Sequence, residues 1–542
     1  MFGRSVSCGV SSWALRLFLV SWGFRASARV GWGIPGIGTS GFVRLVLSWG
    51  VRMNSKKSLV LAVFAAMVAL SSCSGLGNVC TTNCGGGGSA GLSLTISDTP
   101  PTNTSVVSFS LPIIGITLTP SSGSAVSVFA PTSAASYELT RLQSDTSMIA
   151  ANVKVAAGTY TAVNVTVSAP SAVYINSSGS AIGTCMDNEV CSLTGAAATI
   201  TYTFPSGSPL VLTGNTNQWL DLDFAYNNAI VSTSGIGLDV TQAGMLTATT
   251  TVPAGLPSGD FANIDDFTGA VTAISSSSVT VRSTLRGSLT AAINSSTVVL
   301  DPQNQCTGGP ALACIAKGSI VSLQGVLTTT GTMTASSLDI IDISTSPADE
   351  VEGILYPSGC NNGSNYGLIL SDSAIFTSSS PLLSASYGTG VCLTLSQTTT
   401  FGIDTGILTG QSGAPISNAG FSGTGDILGA QTVRAKITNA AAGTDTMVNA
   451  NATALILRFS RFTTSVNVVS GNAFSITGLP AYFPTFTVNP QVQTYINATL
   501  LEGVTSVNSL QSGQSVSIST LFLNPATMGT QFPFQAAKVR LQ

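Results

Sequence analysis

Histidine is absent from all 542 residues of the chain. That removes the Ser-His-Asp and Cys-His nucleophile systems, His-ligated zinc, and the side chain that most often serves as general base near neutral pH. Charge is scarce as well: Asp, Glu, Lys and Arg make up 8% of the sequence, against about a quarter in an ordinary globular domain. So few basic residues cannot displace the phosphate counterions of a nucleic acid, and no nucleic-acid partner is expected. An enzyme built on this chain has only carboxylates, lysine or tyrosine to work with, so no catalytic residue, metal or cofactor is expected.

What the sequence does contain begins near its start. Lys56 and Lys57 precede an uncharged apolar run from Leu59 to Leu70, and Leu70-Ser71-Ser72-Cys73 closes it. The run is too short to span a bilayer comfortably as a helix. The arrangement resembles the lipobox of bacterial lipoproteins, in which a peptidase cuts before a cysteine whose sulfur already carries a diacylglycerol. Residues 53–72 are then the signal peptide, Cys73 is the lipidation site, and the membrane is a partner through the N-terminal lipid. Ser74 is not the aspartate that marks inner-membrane retention in that family. The expected location is the outer membrane, on its periplasmic or surface face.

Residues 1–52 look foreign to that signal. They hold six arginines, no acid, and four of the five tryptophans, Trp13, Trp22, Trp32 and Trp49. They are expected to be an upstream extension, with Met53 the initiator. Eight of the 19 Lys and Arg precede Cys73 while all 22 Asp and Glu follow it, so the chain beyond the cysteine carries 11 basic against 22 acidic residues, a net charge of −11.

Eight cysteines follow Cys73: Cys80, Cys84, Cys185, Cys191, Cys306, Cys314, Cys360 and Cys392. They cluster into four neighbouring pairs, and nearest-neighbour disulfides in an oxidising compartment are expected, one of about 105 possible connectivities. A metal reading wants CxxC spacing and histidine partners, and the sequence offers neither. Residues 73–90, with Cys80 and Cys84 followed by Gly85 to Gly88, read as a flexible tether.

From residue 91 to 252 the pattern is β. Leu92, Leu94 and Ile96 alternate with Ser93, Thr95 and Ser97; Val107, Phe109 and Leu111 repeat the alternation, as do Val163, Val165 and Val167. A period of two puts one face in a core and leaves the other to solvent, the basis of a β-sandwich. The order Ile96-Ser-Asp-Thr-Pro100, Tyr137 to Leu139, Ala157-Gly-Thr-Tyr160, then Leu220-Asp-Leu-Asp-Phe224 resembles a bacterial lipoprotein family, domain of unknown function 4382. That resemblance carries no catalytic residues with it.

After Pro257 one unit recurs. Phe267-Thr-Gly-Ala-Val271, Val351-Glu-Gly-Ile-Leu355 and the stretch near Phe462 open three sets of about five short strands each, the number of a small closed barrel. The boundaries are 262–346, 349–458 with a Gly/Ser-rich insertion from Thr405 to Thr424, and 460–542. These units resemble domain of unknown function 5666, whose members look like oligonucleotide/oligosaccharide-binding (OB) barrels. The expected fold is all-β: an N-terminal β-sandwich-like domain followed by three five-stranded OB-like β-barrels.

Few side chains stand out as candidate sites. Asp221 and Asp223 flank Leu222 on a strand and share a face, where they bind calcium or divide acid and base roles if further oxygens converge, or are simply solvent-facing polar positions. Trp219, the sole tryptophan after Cys73, and Tyr226 nearby are candidates for stacking on a sugar ring, with core anchoring the plainer reading. Asp265, Asp266, Asp339 and Asp342 read as dispersed surface acids unless two of them face each other across a cleft. The expected function is that of a lipid-anchored envelope protein with a structural, adhesive or glycan- or envelope-binding role and no chemistry. The alternative is a carboxylate-dependent carbohydrate-active enzyme.

Overall fold

The computed structural model describes residues 88–542 except 100–101, 103–104, 177–178, 188, 232–236, 257–258, 329, 345–346, 357–359, 361–364, 415–419, 444–446 and 529–531. The extension, the signal, Cys73, Cys80 and Cys84 lie outside the described residues. No helix among the described residues is long and apolar enough to cross a membrane.

Alternating apolar residues build the first domain from fourteen strands: β1 (Ser89–Asp98), β2 (Val106–Pro120), β3 (Val126–Phe129), β4 (Ala135–Glu138), β5 (Ser147–Ala156), β6 (Gly158–Val167), β7 (Ser171–Ile175), β8 (Val190–Thr194), β9 (Ala198–Thr203), β10 (Leu210–Leu212), β11 (Asn217–Phe224), β12 (Ile230–Val231), β13 (Gly237–Leu238) and β14 (Leu246–Thr249). One sheet runs β14-β11-β1-β5, with β1 and β11 parallel. The other runs β10-β6-β2-β7-β8, with β3 and β4 on β2 and β9 on β6. Leu92, Leu94, Ile96 and Leu222 of the first sheet share one core with Phe109, Leu111, Val163 and Val165 of the second, a sandwich-like arrangement.

The polar face of β1 departs from expectation. Ser93, Thr95 and Ser97 are 1%, 1% and 9% exposed, because later parts of the chain cover that face: Trp219, the neighbour of Ser93 across the β1–β11 ladder, belongs to the core of the next module.

That module comprises β15 (Asp260–Ile274), β16 (Ser278–Ser283), β17 (Gly287–Ala292), β18 (Val298–Leu300), β19 (Ile320–Thr328) and β20 (Met333–Asp342). Its strands pair in the order β17-β16-β15-β19-β20, and β20 returns to β17 in parallel at Ala292 and Thr334. The same circuit of pairings recurs in β21 (Asp349–Tyr356), β22 (Asn365–Ala374), β23 (Gly390–Ile403), β24 (Thr432–Ala442) and β25 (Val448–Ser470), ordered β23-β22-β21-β24-β25 and closed by parallel β23 and β25. It recurs again in β25, β26 (Ala473–Thr477), β27 (Gln491–Gln493), β29 (Ser515–Phe522) and β30 (Phe534–Leu541), closed by parallel β27 and β30, with β28 (Leu500–Glu502) added beside β30.

A repeated glycine serves the first two circuits. A Cβ on Gly269 of β15 meets the Arg282 carbonyl at 2.3 Å, and one on Gly353 of β21 meets the Ile369 carbonyl at 2.0 Å. At both places the second strand crosses the first too closely for a side chain.

Strand β25 belongs to two circuits at once. Its residues up to Arg458 pair with β23 and β24, and from Phe459 onward it pairs with β29 and β26. The handover from second to third circuit therefore lies inside 23 residues of unbroken strand rather than in a linker.

Candidate functional site

Apolar alternation fixes where charge can sit, and here it sits inside. Eight of the 11 basic residues beyond Cys73 form ion pairs: Arg141, Arg286, Arg434, Lys436, Arg458, Arg461, Lys538 and Arg540. Seven of these side chains are less than 10% exposed, Lys436 at 26% being the exception. The expectation that Asp265, Asp266, Asp339 and Asp342 are surface acids is thus overturned: Asp266, Asp339 and Asp342 are 2%, 2% and 6% exposed, and the Asp265 side chain is 11% exposed. They are buried because β15 and β20 are covered by the neighbouring modules.

Asp266 is the hub. Arg141, from the turn Leu139–Gln143 of the first domain, reaches its Oδ2 at 2.8 Å. Arg458 of β25 reaches Oδ1 at 2.8 Å and Arg461 reaches Oδ2 at 3.0 Å. Ser322 and Thr268 donate to Oδ1 at 2.6 and 2.7 Å. Burial alone would lift this carboxyl, but Arg458, Arg141 and Arg461 hold it well below the usual carboxylate range. Glu352 of β21 extends the network, facing Arg141 at 3.0 Å, Arg434 at 3.3 Å and Arg458 at 3.4 Å. Arg434 also pairs with Glu350, and Arg458 with Asp404.

A second cluster ties the C-terminal strand to the first domain. Glu502 of β28 pairs with Lys538 at 2.8 Å and Arg540 at 3.1 Å. Arg540 in turn donates to the carbonyls of Leu142 and Asp145 at 3.2 and 2.9 Å and to the Thr146 hydroxyl at 2.8 Å. Two other buried acids, Asp145 beside Arg540 and Asp339 near Arg458, are pushed the other way. Burial, with the charge of Asp265 beside it, raises Asp145 to about 7, and burial raises Asp339 to about 7.

Asp221 and Asp223 sit on β11 and face a cleft of about 220 Å³ shared with Trp219, Phe261, Glu502 and Arg540. They are not open to solvent in the manner expected: Asp221 is 7% exposed, since the first and third circuits close over this face. Both of its oxygens are taken, by Thr95 at 2.6 Å and Ser97 at 2.5 Å. Asp223 accepts from Thr99 at 2.8 Å, and burial raises its carboxyl to about 6 against the pull of that bond. Among the described residues the three metal-ligand side chains that do converge are Cys185, Glu189 and Cys191, two of them joined in a disulfide. The arrangement around Asp221 is a buried carboxylate held by two hydroxyl donors.

The stacking reading of Trp219 and Tyr226 is corrected too. Trp219 is 5% exposed; its indole donates to Thr95 Oγ1 at 2.7 Å and stacks on Phe261 at 6.1 Å. It anchors the first domain to the first circuit. Tyr226 is fully buried against Phe109, ring centres 5.6 Å apart. Neither ring face is free to meet a sugar.

Three expected disulfides are present, Cys185–Cys191, Cys306–Cys314 and Cys360–Cys392, with Cα separations of 5.9, 5.9 and 5.8 Å. The buried cations Arg141, Arg434, Arg458 and Arg461 escaped the sequence reading. Their signal was nevertheless there: lone charges set in apolar strand, as in Leu455-Ile-Leu-Arg-Phe-Ser-Arg-Phe462, within a chain that has few charges to place.

Residues 89–240 match the sequence model of the family described as Domain of unknown function (DUF4382), and residues 268–339 match that of Domain of unknown function (DUF5666). Both stand in the order that the motifs gave. No curated protein matches. Among solved structures, a chain described as drosophila Unr CSD456 matches at 8% identity over 51% of this chain and 97% of its own, with a TM-score of 0.12, too slight a likeness to bear on fold or function.

Proposed function

We propose that this chain, which carries a DUF4382 domain followed by a DUF5666 domain, is an exported, lipid-anchored envelope protein that works as a rigid non-catalytic scaffold and holds a glycan or another envelope component. The observation that carries the reading is the junction at Asp266, where one carboxylate gathers arginines from the first domain and from β25. A chain with 11 basic residues beyond Cys73 that commits eight of them to ion pairs uses its charge to hold modules in fixed relation. The three disulfides agree with an oxidising compartment, and the lipobox at Cys73 supports the anchor.

Mass spectrometry of the N-terminus of the protein taken from bacterial membranes tests the first half. The expected result is a polypeptide beginning at Cys73 with diacylglycerol on its sulfur; an unmodified N-terminus in the soluble fraction overturns it. Capture of envelope polysaccharides and proteins on the immobilised mature chain tests the second half. Failure to retain either class overturns the binding role.

A further inference from the structure

We infer that the cavity where the first domain meets the first and second circuits takes an acidic sugar, bound through its carboxylate to Arg286. This rests on the glycan-binding half of the proposed function and is independent of the lipid anchor. The cavity holds about 490 Å³, within the roughly 300–1,000 Å³ of small-molecule sites. Tyr137, Tyr387, Arg141 and Arg286 line it, with Ser133 and Ser288 among the residues at its wall.

Arg286 is buried, its side chain 6% exposed, with the guanidinium 4.4 Å above the Phe267 ring. Its Nη1 donates to the Asp266 carbonyl at 2.5 Å. The nearest carboxylate oxygens, on Asp372 and Asp145, stand at 3.8 and 3.9 Å, beyond hydrogen-bond range. Nη2 has no hydrogen-bond acceptor, nor does Nε of Arg141 on the same cavity wall. Burial raises both flanking carboxyls, that of Asp145 to about 7, so Asp145 offsets the Arg286 charge only in part near neutral pH. A buried guanidinium with unused N–H groups is the donor that a carboxylate satisfies in the two-point fork geometry. The tyrosines suit the C–H faces of a sugar ring, and the serines suit its hydroxyls.

Calorimetric titration of the full mature protein with oligogalacturonate, and with its neutral methyl ester, tests the assignment. The acid form is expected to bind at least about tenfold more tightly than the ester, as the loss of a charge-assisted bond requires. Arg286→Gln is expected to remove that preference. Should that variant not fold, Ser133→Trp and Ser288→Trp fill the cavity from exposed positions without touching the ion pairs, and each is expected to abolish binding. Equal binding of acid and ester overturns the proposal, as does binding unchanged in the two tryptophan variants. Acetate or sulfate binding as tightly as the oligomer overturns the sugar assignment. No binding of oligogalacturonate while envelope polysaccharide is still captured overturns this inference and leaves the wider reading standing, whereas loss of both overturns both.

Discussion

Arg458 donates to Asp266 at 2.8 Å although 192 residues separate them, and the same guanidinium lies 3.4 Å from Glu352. One side chain of β25 therefore joins the first circuit to the second, at a point where both acids are buried.

Asp266→Asn leaves Arg141, Arg458 and Arg461 without their shared counter-charge. Removing one partner of a buried pair typically costs about 3–5 kcal/mol, and that loss is expected in urea unfolding followed by circular dichroism. A loss below about 1 kcal/mol would show that the junction does not hold the modules.

Acidity should act in two opposed directions. Asp145 and Asp339 have folded-state values of about 7 against an ordinary 3.8, so the stability they contribute is complete below about pH 4 and is lost as pH rises through 7. Asp266, Glu352 and Glu502 are lowered by their cationic neighbours, so their contribution is present above the unfolded value and disappears in acid. The melting temperature is expected to peak near about pH 5, falling on both sides, with Asp145→Asn flattening the alkaline limb. A melting temperature that climbs steadily from pH 5 to pH 8 contradicts this.

Trp219 is the sole tryptophan after Cys73, so in a polypeptide that begins at Cys73 its emission reports one interface. Burial against Phe261 predicts blue-shifted native fluorescence, and Phe261→Ala is expected to shift it to the red while far-ultraviolet circular dichroism stays unchanged. Native emission already at the wavelength of exposed indole would place Trp219 elsewhere.

The Cys360–Cys392 bridge spans 32 residues, for which loop-closure entropy gives about 3–4 kcal/mol. The double substitution of both cysteines by alanine is expected to lower unfolding free energy by that order. Non-reducing peptide mapping should recover the three pairs as described. A crossed pair, such as Cys185 with Cys306, would break the assignment.

The strands themselves were legible because a period of two is written in residues such as Leu92, Leu94 and Ile96, and the recurrence of the circuits in Phe267-Thr-Gly269 and Val351-Glu-Gly353. Local disulfides were legible for the same reason, as their partners are neighbours in the chain. What alternation does not encode is which polar faces a later module will cover. Thr95, Asp221 and Asp266 all carry the pattern of a wet face, yet each lies against chain more than 100 residues away. Their burial follows from how modules pack, a property of pairs of distant surfaces. A chain so poor in charge has few reasons to keep an arginine between two leucine-rich stretches, and that scarcity was the one readable hint.

Because β25 passes from one circuit into the next without a break, those two modules have no joint. Backbone ladders on either side of Arg458 and Phe459 set the angle between them, and neither can swivel while the other stays put. A protease nick at that bond would open two closed sheets at once, and neither half could be expressed by itself without losing a staff it shares with its neighbour.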